Sequence, residues 1–169
     1  MNVLILTASL HCGGVETHVV TLSRALQERG NTVTVASAGG DLTKELQKDG
    51  IPHHTIPLHS RLCILSAHRR LKRLFHQQHF TLIHSHSRIA SFVAAPLARR
   101  NKIPLITTVH ARFRATPVLR KCSRWGAFSI AVSEDLKHFK CCVVGSHHCI
   151  ISTKCCLIHK HHAIWELEV

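Results

Sequence analysis

Tyrosine is absent from this chain of 169 residues, and Phe and Trp make up only 5% of it. So poor a supply of stacking rings argues against a nucleic-acid binder, and no recognition-helix or RNP-type motif strengthens that case. Acidic residues are scarce too: nine Asp and Glu face 22 Lys and Arg, for a net charge of +13. Between Ile51 and Ser133 there is none, while the same block holds 14 Lys and Arg. A field of that sign concentrates anions such as phospholipid headgroups or phosphorylated metabolites. Long apolar runs are missing as well, and none approaches the ~20 residues of a membrane span. The opening "MNVLILTASL" lacks the basic stretch of a signal peptide. These absences lead to the expectation of one cytoplasmic domain with reduced cysteines.

What is present alternates between strand and helix. "VLILTA" (Val3–Ala8) has the uninterrupted apolar character of a buried strand, and "TVTVAS" (Thr32–Ser37) is β-branched and alternating. Between them, Val15–Arg29 carries Val19, Leu22 and Leu26 on one helical face and stops at Gly30. Asp41 is positioned to cap a short helix, Leu42–Lys48, before a weak strand at His53–Leu58. Ile64–His76 is a basic amphipathic helix, with Ile64, Leu71, Leu74 and Phe75 inward and Arg69, Arg70, Lys72 and Arg73 outward. Strands follow at Phe80–His86, Pro104–His110 and Ala127–Ser133, with helices at Ser87–Arg100, Pro117–Arg124 and after Ser133. Repeating β–α units with short connections imply an α/β, Rossmann-like parallel sheet covered by helices on both faces. Such sheets bind ligands at the carboxyl ends of their strands.

Polar residues collect at that edge. Gly13 and Gly14 lie between the first strand and the first helix, where glycine lets backbone N–H groups and a helix N-terminus approach an anion. The "HCGGVET" spacing is not GxGxxG, which disfavours a dinucleotide cofactor. His84, Ser85, His86 and Ser87 end the fourth strand, His110 the fifth, and Ser133 and Glu134 the sixth. Each histidine alone is commonly structural, but several strand ends converging with a glycine loop make a candidate cleft.

"GGVETHVVTLSRALQERGNTVTVAS", "LIHSHS", "PLITTVHA" and "IAVSEDLKHF" together resemble, in order and spacing, the acceptor domain of family-4-like glycosyltransferases of GT-B fold. The likeness runs from Met1 to about Phe139, with Asn31 in place of a common histidine. It implies one half of a retaining, hexosyl-type transferase that moves a sugar from a nucleotide sugar to a cell-envelope or lipid-linked acceptor. It implies no cofactor beyond that co-substrate and no metal. By the same resemblance, Gly13, Gly14 and Glu16 belong to the loop near the donor diphosphate, and His110 is the catalytic histidine near the donor sugar. His86 and Ser87 line the acceptor side, and Ser133 and Glu134 the entrance to the cleft. The basic helix would rest peripherally on the inner face of an anionic membrane through Arg69, Arg70, Lys72 and Arg73.

One departure limits what the chain can do. That family continues into a donor-holding domain with two glutamates seven residues apart, and nothing here matches it. This half is therefore expected to be inactive alone; the alternative is a non-catalytic subunit that completes the enzyme in trans. From 140 to 169 the composition instead shifts to five cysteines and five histidines in 30 residues. Cys141, Cys142, Cys149, Cys155, Cys156, His159, His161 and His162 offer soft metal ligands, but no CxxC pair frames a zinc module. The reading preferred for this stretch is an out-of-frame or disordered tail.

Overall fold

The computed structural model describes residues 1–111, 126, 128–133 and 136 in full, and residues 149–151 in their backbone. Among the described residues seven strands form one sheet in which every pairing is parallel. In chain order these are β1 (Asn2–Leu6), α1 (Gly14–Glu28), β2 (Thr32–Ser37), α2 (Thr43–Lys48) and β3 (His53–Thr55). A 3-10 turn at Arg61–Cys63 leads into α3 (Ile64–Gln77), β4 (Leu82–Ser85), α4 (Arg88–Arg100), β5 (Leu105–Val109), β6 (Phe128–Ala131) and β7 (Cys149–Ile151). The α/β Rossmann-like class read from the sequence is the class observed. The expected helix at Pro117–Arg124 falls outside the described residues, as does the helix after Ser133 except for Leu136.

β1 explains the two-sided sheet. Its Leu4 and Leu6 point into one apolar cluster with Ala67, Leu71 and Leu74 of α3 and Val93, Ala94 and Leu97 of α4. Its Val3 and Ile5 point the other way, against Val19 and Val20 of α1 and Leu46 of α2. All four β1 side chains are fully buried. Each contributes roughly 1.5–3 kcal/mol by leaving water. A strand apolar on both faces is stable only between two helical layers.

Strand order is β3-β2-β1-β4-β5-β6-β7, so the chain grows outward from β1 to β3 and then returns to lay β4 beside β1. The reversal puts a topological switch point between β1 and β4, where the connections at the carboxyl ends part and leave a crevice.

One local detail differs from expectation. Asp41 does not cap α2: the helix begins at Thr43, its cap position Leu42 has no side-chain hydrogen bond, and the Asp41 carboxylate faces His11 Nδ1 at 3.4 Å. The sharp turn at Gly39–Gly40, both at positive φ, takes the chain into the helix instead, and Thr43 Oγ1 donates to the Gly40 carbonyl at 2.7 Å. Pro96 lies inside α4 on its exposed face, and the helix runs through it as the sequence led one to expect. Three residues of the Cys- and His-rich stretch, Cys149–Ile151, form β7 and pair with β6; the rest of that stretch lies outside the described residues. Among the described residues no helix is long and apolar enough to cross a membrane.

Candidate functional site

The glycine loop after β1 is held from one side by the turn after β2. Ala38 N donates to Ala8 O at 3.0 Å, Leu10 N to Gly39 O at 2.8 Å, and Leu42 N to Leu10 O at 2.9 Å. Gly40 packs so tightly on this loop that a Cβ would overlap the Leu10 carbonyl and the His11 nitrogen. Gly13 is the N-cap of α1 with an extended backbone, and Gly14 is the first helical residue. The two glycines serve different ends. A Cβ on Gly13 would meet the Glu16 carboxylate, which folds back from the first turn of the helix. Among the described residues a Cβ on Gly14 would touch nothing within 4 Å. The positive end of the α1 dipole thus lies at Gly13 and Gly14, with the Glu16 carboxylate folded back towards it.

Alternation along β4 and β5 builds the facing wall. His84 and His86 are two residues apart on one face of β4, and Thr108 and His110 repeat the spacing on β5. Consequently His84 Nε2 meets Thr108 Oγ1 at 2.7 Å, and His86 Nδ1 meets His110 Nε2 at 3.0 Å. The His84 and His86 rings lie 4.3 Å apart, and the His86 and His110 rings stack at 5.3 Å. On the opposite face Ser85 and Thr107 stand in register and both engage Ser91 of α4, at 2.9 and 3.2 Å. The His86 backbone N–H donates to Leu6 O at 2.8 Å and ties the end of β4 to the end of β1.

Helix α1 supplies a further imidazole. His18, one turn beyond Gly14, has its ring 5.4 Å from that of His86 and 5.6 Å from that of His110. Residues four apart on a helix share a face, so the end that begins at Gly14 also turns His18 into the cluster. The sequence reading passed over His18. Its place four residues after the second glycine was the available signal.

Burial keeps these rings uncharged. His84 is pushed down from 6.5 to about 3, first by desolvation and then by the nearby His18 and His110. His110 is lowered to about 4, by desolvation first and then by His18. His86 is held well below the ordinary imidazole value by burial and its three imidazole neighbours, and burial lowers His18 as well. Near neutral pH the cluster is therefore a set of neutral hydrogen-bonding groups. Among the described residues, no three His, Cys, Asp or Glu side chains are placed to hold a metal ion.

The other sequence candidates fall as follows. Ser87 is the N-cap of α4: its hydroxyl accepts from Ala90 N at 3.1 Å, and so is committed to the helix. The Ser133 hydroxyl accepts from Leu136 N at 3.3 Å at the end of β6. Glu134 lies outside the described residues. Gly13, Gly14 and Glu16 are together at the start of α1, and His86 and His110 are in direct contact.

Known proteins share this arrangement of elements. A glycosyltransferase from Rickettsia africae superposes with a TM-score of 0.71 at 18% identity, over 89% of this chain and 42% of that one. Anabaena Alr3699/HepE in complex with UDP gives 0.71 at 19% identity, over 89% and 43%. The lipopolysaccharide outer core galactosyltransferase WaaB gives 0.69 at 12% identity, over 90% and 45%. The fold is thus that of one half of GT-B glycosyltransferases, and the chain spans less than half the length of these proteins. No curated protein matches the chain. The sequence pattern of Glycosyltransferase Family 4, however, matches residues 12–149, from the glycine loop through the imidazole wall to β7, and the chain belongs to that family.

Proposed function

We propose that this chain is the acceptor-side half of a retaining glycosyltransferase that moves a hexosyl group from a nucleotide sugar to a cell-envelope or lipid-linked acceptor. The observation that carries the reading is the convergence, at the carboxyl end of the sheet, of the first turns of α1, through His18, with the His86–His110 pair. Backbone donors suit a diphosphate, and a neutral imidazole suits a sugar hydroxyl. HepE has been seen with UDP and with UDP-glucose, which makes a uridine diphosphate sugar the first donor to try. In the complete enzyme the donor would be held mainly by a second domain, so this half binds it weakly and transfers nothing alone. UDP-glucose at millimolar concentration is expected to shift the Gly13 and Gly14 amide and His110 ring signals in NMR, with an affinity near −4 kcal/mol. Gly14→Val should weaken the response at least several-fold. Spectra that stay still at those concentrations would remove the donor-side role.

A second reading is a non-catalytic subunit completed in trans by a separate donor-holding chain. Its sign would be a co-purifying chain that restores transfer when added back.

The acceptor is argued from α3. Arg69, Arg70, Lys72 and Arg73 are exposed on the face away from α4, and Leu62 and Leu65 at its start are 97% and 73% exposed. Cations beside bare apolar side chains suit the headgroup layer of an anionic membrane, where a lipid-linked acceptor would reside. The chain would then work peripherally at the inner face. Reversing the four charges to Glu should lower binding to phosphatidylglycerol vesicles on the order of a thousandfold, at ~1 kcal/mol per charge lost. Unchanged co-sedimentation of that variant would refute the membrane contact.

A further inference from the structure

His86 is 5% exposed, and among the described residues its Nε2 has no hydrogen-bond partner. Its other nitrogen, Nδ1, is 3.0 Å from Nε2 of His110. Two neutral imidazoles share one proton in such a contact, so only two arrangements exist. If His110 donates from Nε2, His86 must carry its own proton on Nε2, which leaves a buried N–H without an acceptor. If His86 donates from Nδ1, its Nε2 is a bare lone pair, and His110 carries its proton on Nδ1. A buried N–H with no partner is the rarer situation in folded proteins. A stranded donor also costs its full desolvation.

We propose that His86 is a positioning residue that donates from Nδ1 to His110 Nε2 and so fixes His110 in the tautomer protonated at Nδ1. Three features of the wall hold the pair in place. The His86 backbone is bonded to Leu6 O, its ring packs on His84, and His84 is anchored on Thr108. The neutral state of both rings keeps the arrangement intact near pH 7. With its Nε2 lone pair engaged, His110 cannot take a proton there. What remains is a single oriented N–H at Nδ1, able to donate to an oxygen but not to act as a base. The inference deepens the proposed role of His110 towards the sugar and rests on that reading for its use, though not for its test. It would make His110 a hydrogen-bond donor in transfer and His86 the residue that decides this.

The experiment is long-range proton–nitrogen correlation NMR on the full chain with labelled histidines at pH 7, without nucleotide or sugar. The expected result is a protonated Nδ1 and a bare Nε2 on His110, the reverse of the usual preference left to chance, with a scalar coupling across the bond to His86 Nδ1. His86→Asn places an amide N–H close to the lost Nδ1 and should preserve the His110 tautomer. His86→Phe removes the donor and should let His110 exchange between both forms. A wild-type His110 protonated at Nε2, or averaged between tautomers, overturns the proposal without any variant having to fold. An unchanged tautomer in the folded His86→Phe chain overturns it too. Because nothing is bound, failure of the UDP-glucose experiment would strike the donor reading and leave this result standing.

Discussion

Gly40→Ala is expected to cost ~3–5 kcal/mol, a large part of the 5–15 kcal/mol that stabilises a typical domain. Two effects combine. Gly40 has φ +146, a region that side-chain-bearing residues rarely enter, which costs ~1–3 kcal/mol. The new Cβ would also collide with the backbone of Leu10 and His11, which has no flexible end to swing away, for a further ~1–3 kcal/mol of overpacking. Relief would push the β1–α1 loop outward and strain the bonds from Ala38 to Ala8, Leu10 to Gly39 and Leu42 to Leu10. Gly14→Ala is the matched control. Its Cβ meets nothing among the described residues, and alanine is the better helix former by up to ~1 kcal/mol, so that variant should be as stable as the parent or more so. Urea unfolding of the pair checks this. A Gly40→Ala chain within ~1 kcal/mol of the parent would show that the turn after β2 does not brace the glycine loop.

The contrast shows which glycines were legible in the sequence. Gly13 and Gly14 announce themselves by their place between a strand-like run and a helical one. Gly39 and Gly40 look like an ordinary loop after β2, because what they pack against, Leu10 and His11, is some thirty residues earlier and meets them only once β1 and β2 pair. The imidazole wall was half legible for the same reason. Period-two alternation puts His84 with His86 and Thr108 with His110 as soon as the strands are recognised. That the two pairs meet each other depends on β4 lying beside β5, which a parallel topology supplies but no local signal does. At Ser87 a strand-end hydroxyl and a helix N-cap are the same residue in the same place, and the capping role, not legible from the strand pattern, is the one its hydrogen bond shows. Asp41 failed as a cap because the glycine turn before α2 already directs the chain, which leaves the carboxylate to His11.

Neutral imidazoles in a buried wall also make stability fall with acid, earlier than carboxylates would cause. The unfolded chain begins to bind protons on these histidines as pH drops through 6.5, while folded His110 resists until about 4 and His84 until about 3. Below 6.5 the unfolded state therefore holds more protons, and stability is lost as pH falls, the loss ending near 4 for His110 and near 3 for His84. Each such group costs ~1.4 kcal/mol per pH unit in that window, or ~2 kcal/mol by pH 5. His84 and His110 together then remove roughly 4 kcal/mol by pH 5, and the lowered His86 adds to the loss in the same direction. The lowered His18 and His53 add to this in the same direction. Ordinary carboxylates titrate near 4, so this arm of the curve belongs to imidazole. Denaturation at pH 7 and pH 5 should show the difference, with an uptake of about two protons on unfolding at the lower pH from His84 and His110 alone. His84→Gln should flatten the slope by about one proton while keeping a partner for Thr108. Equal stability at the two pH values would mean that the rings are hydrated rather than buried. The same neutrality divides the work at the crevice. Near pH 7 the wall has hydrogen bonds to give but no charge, so the diphosphate proposed above would find its compensation across the gap, in the amides at the start of α1.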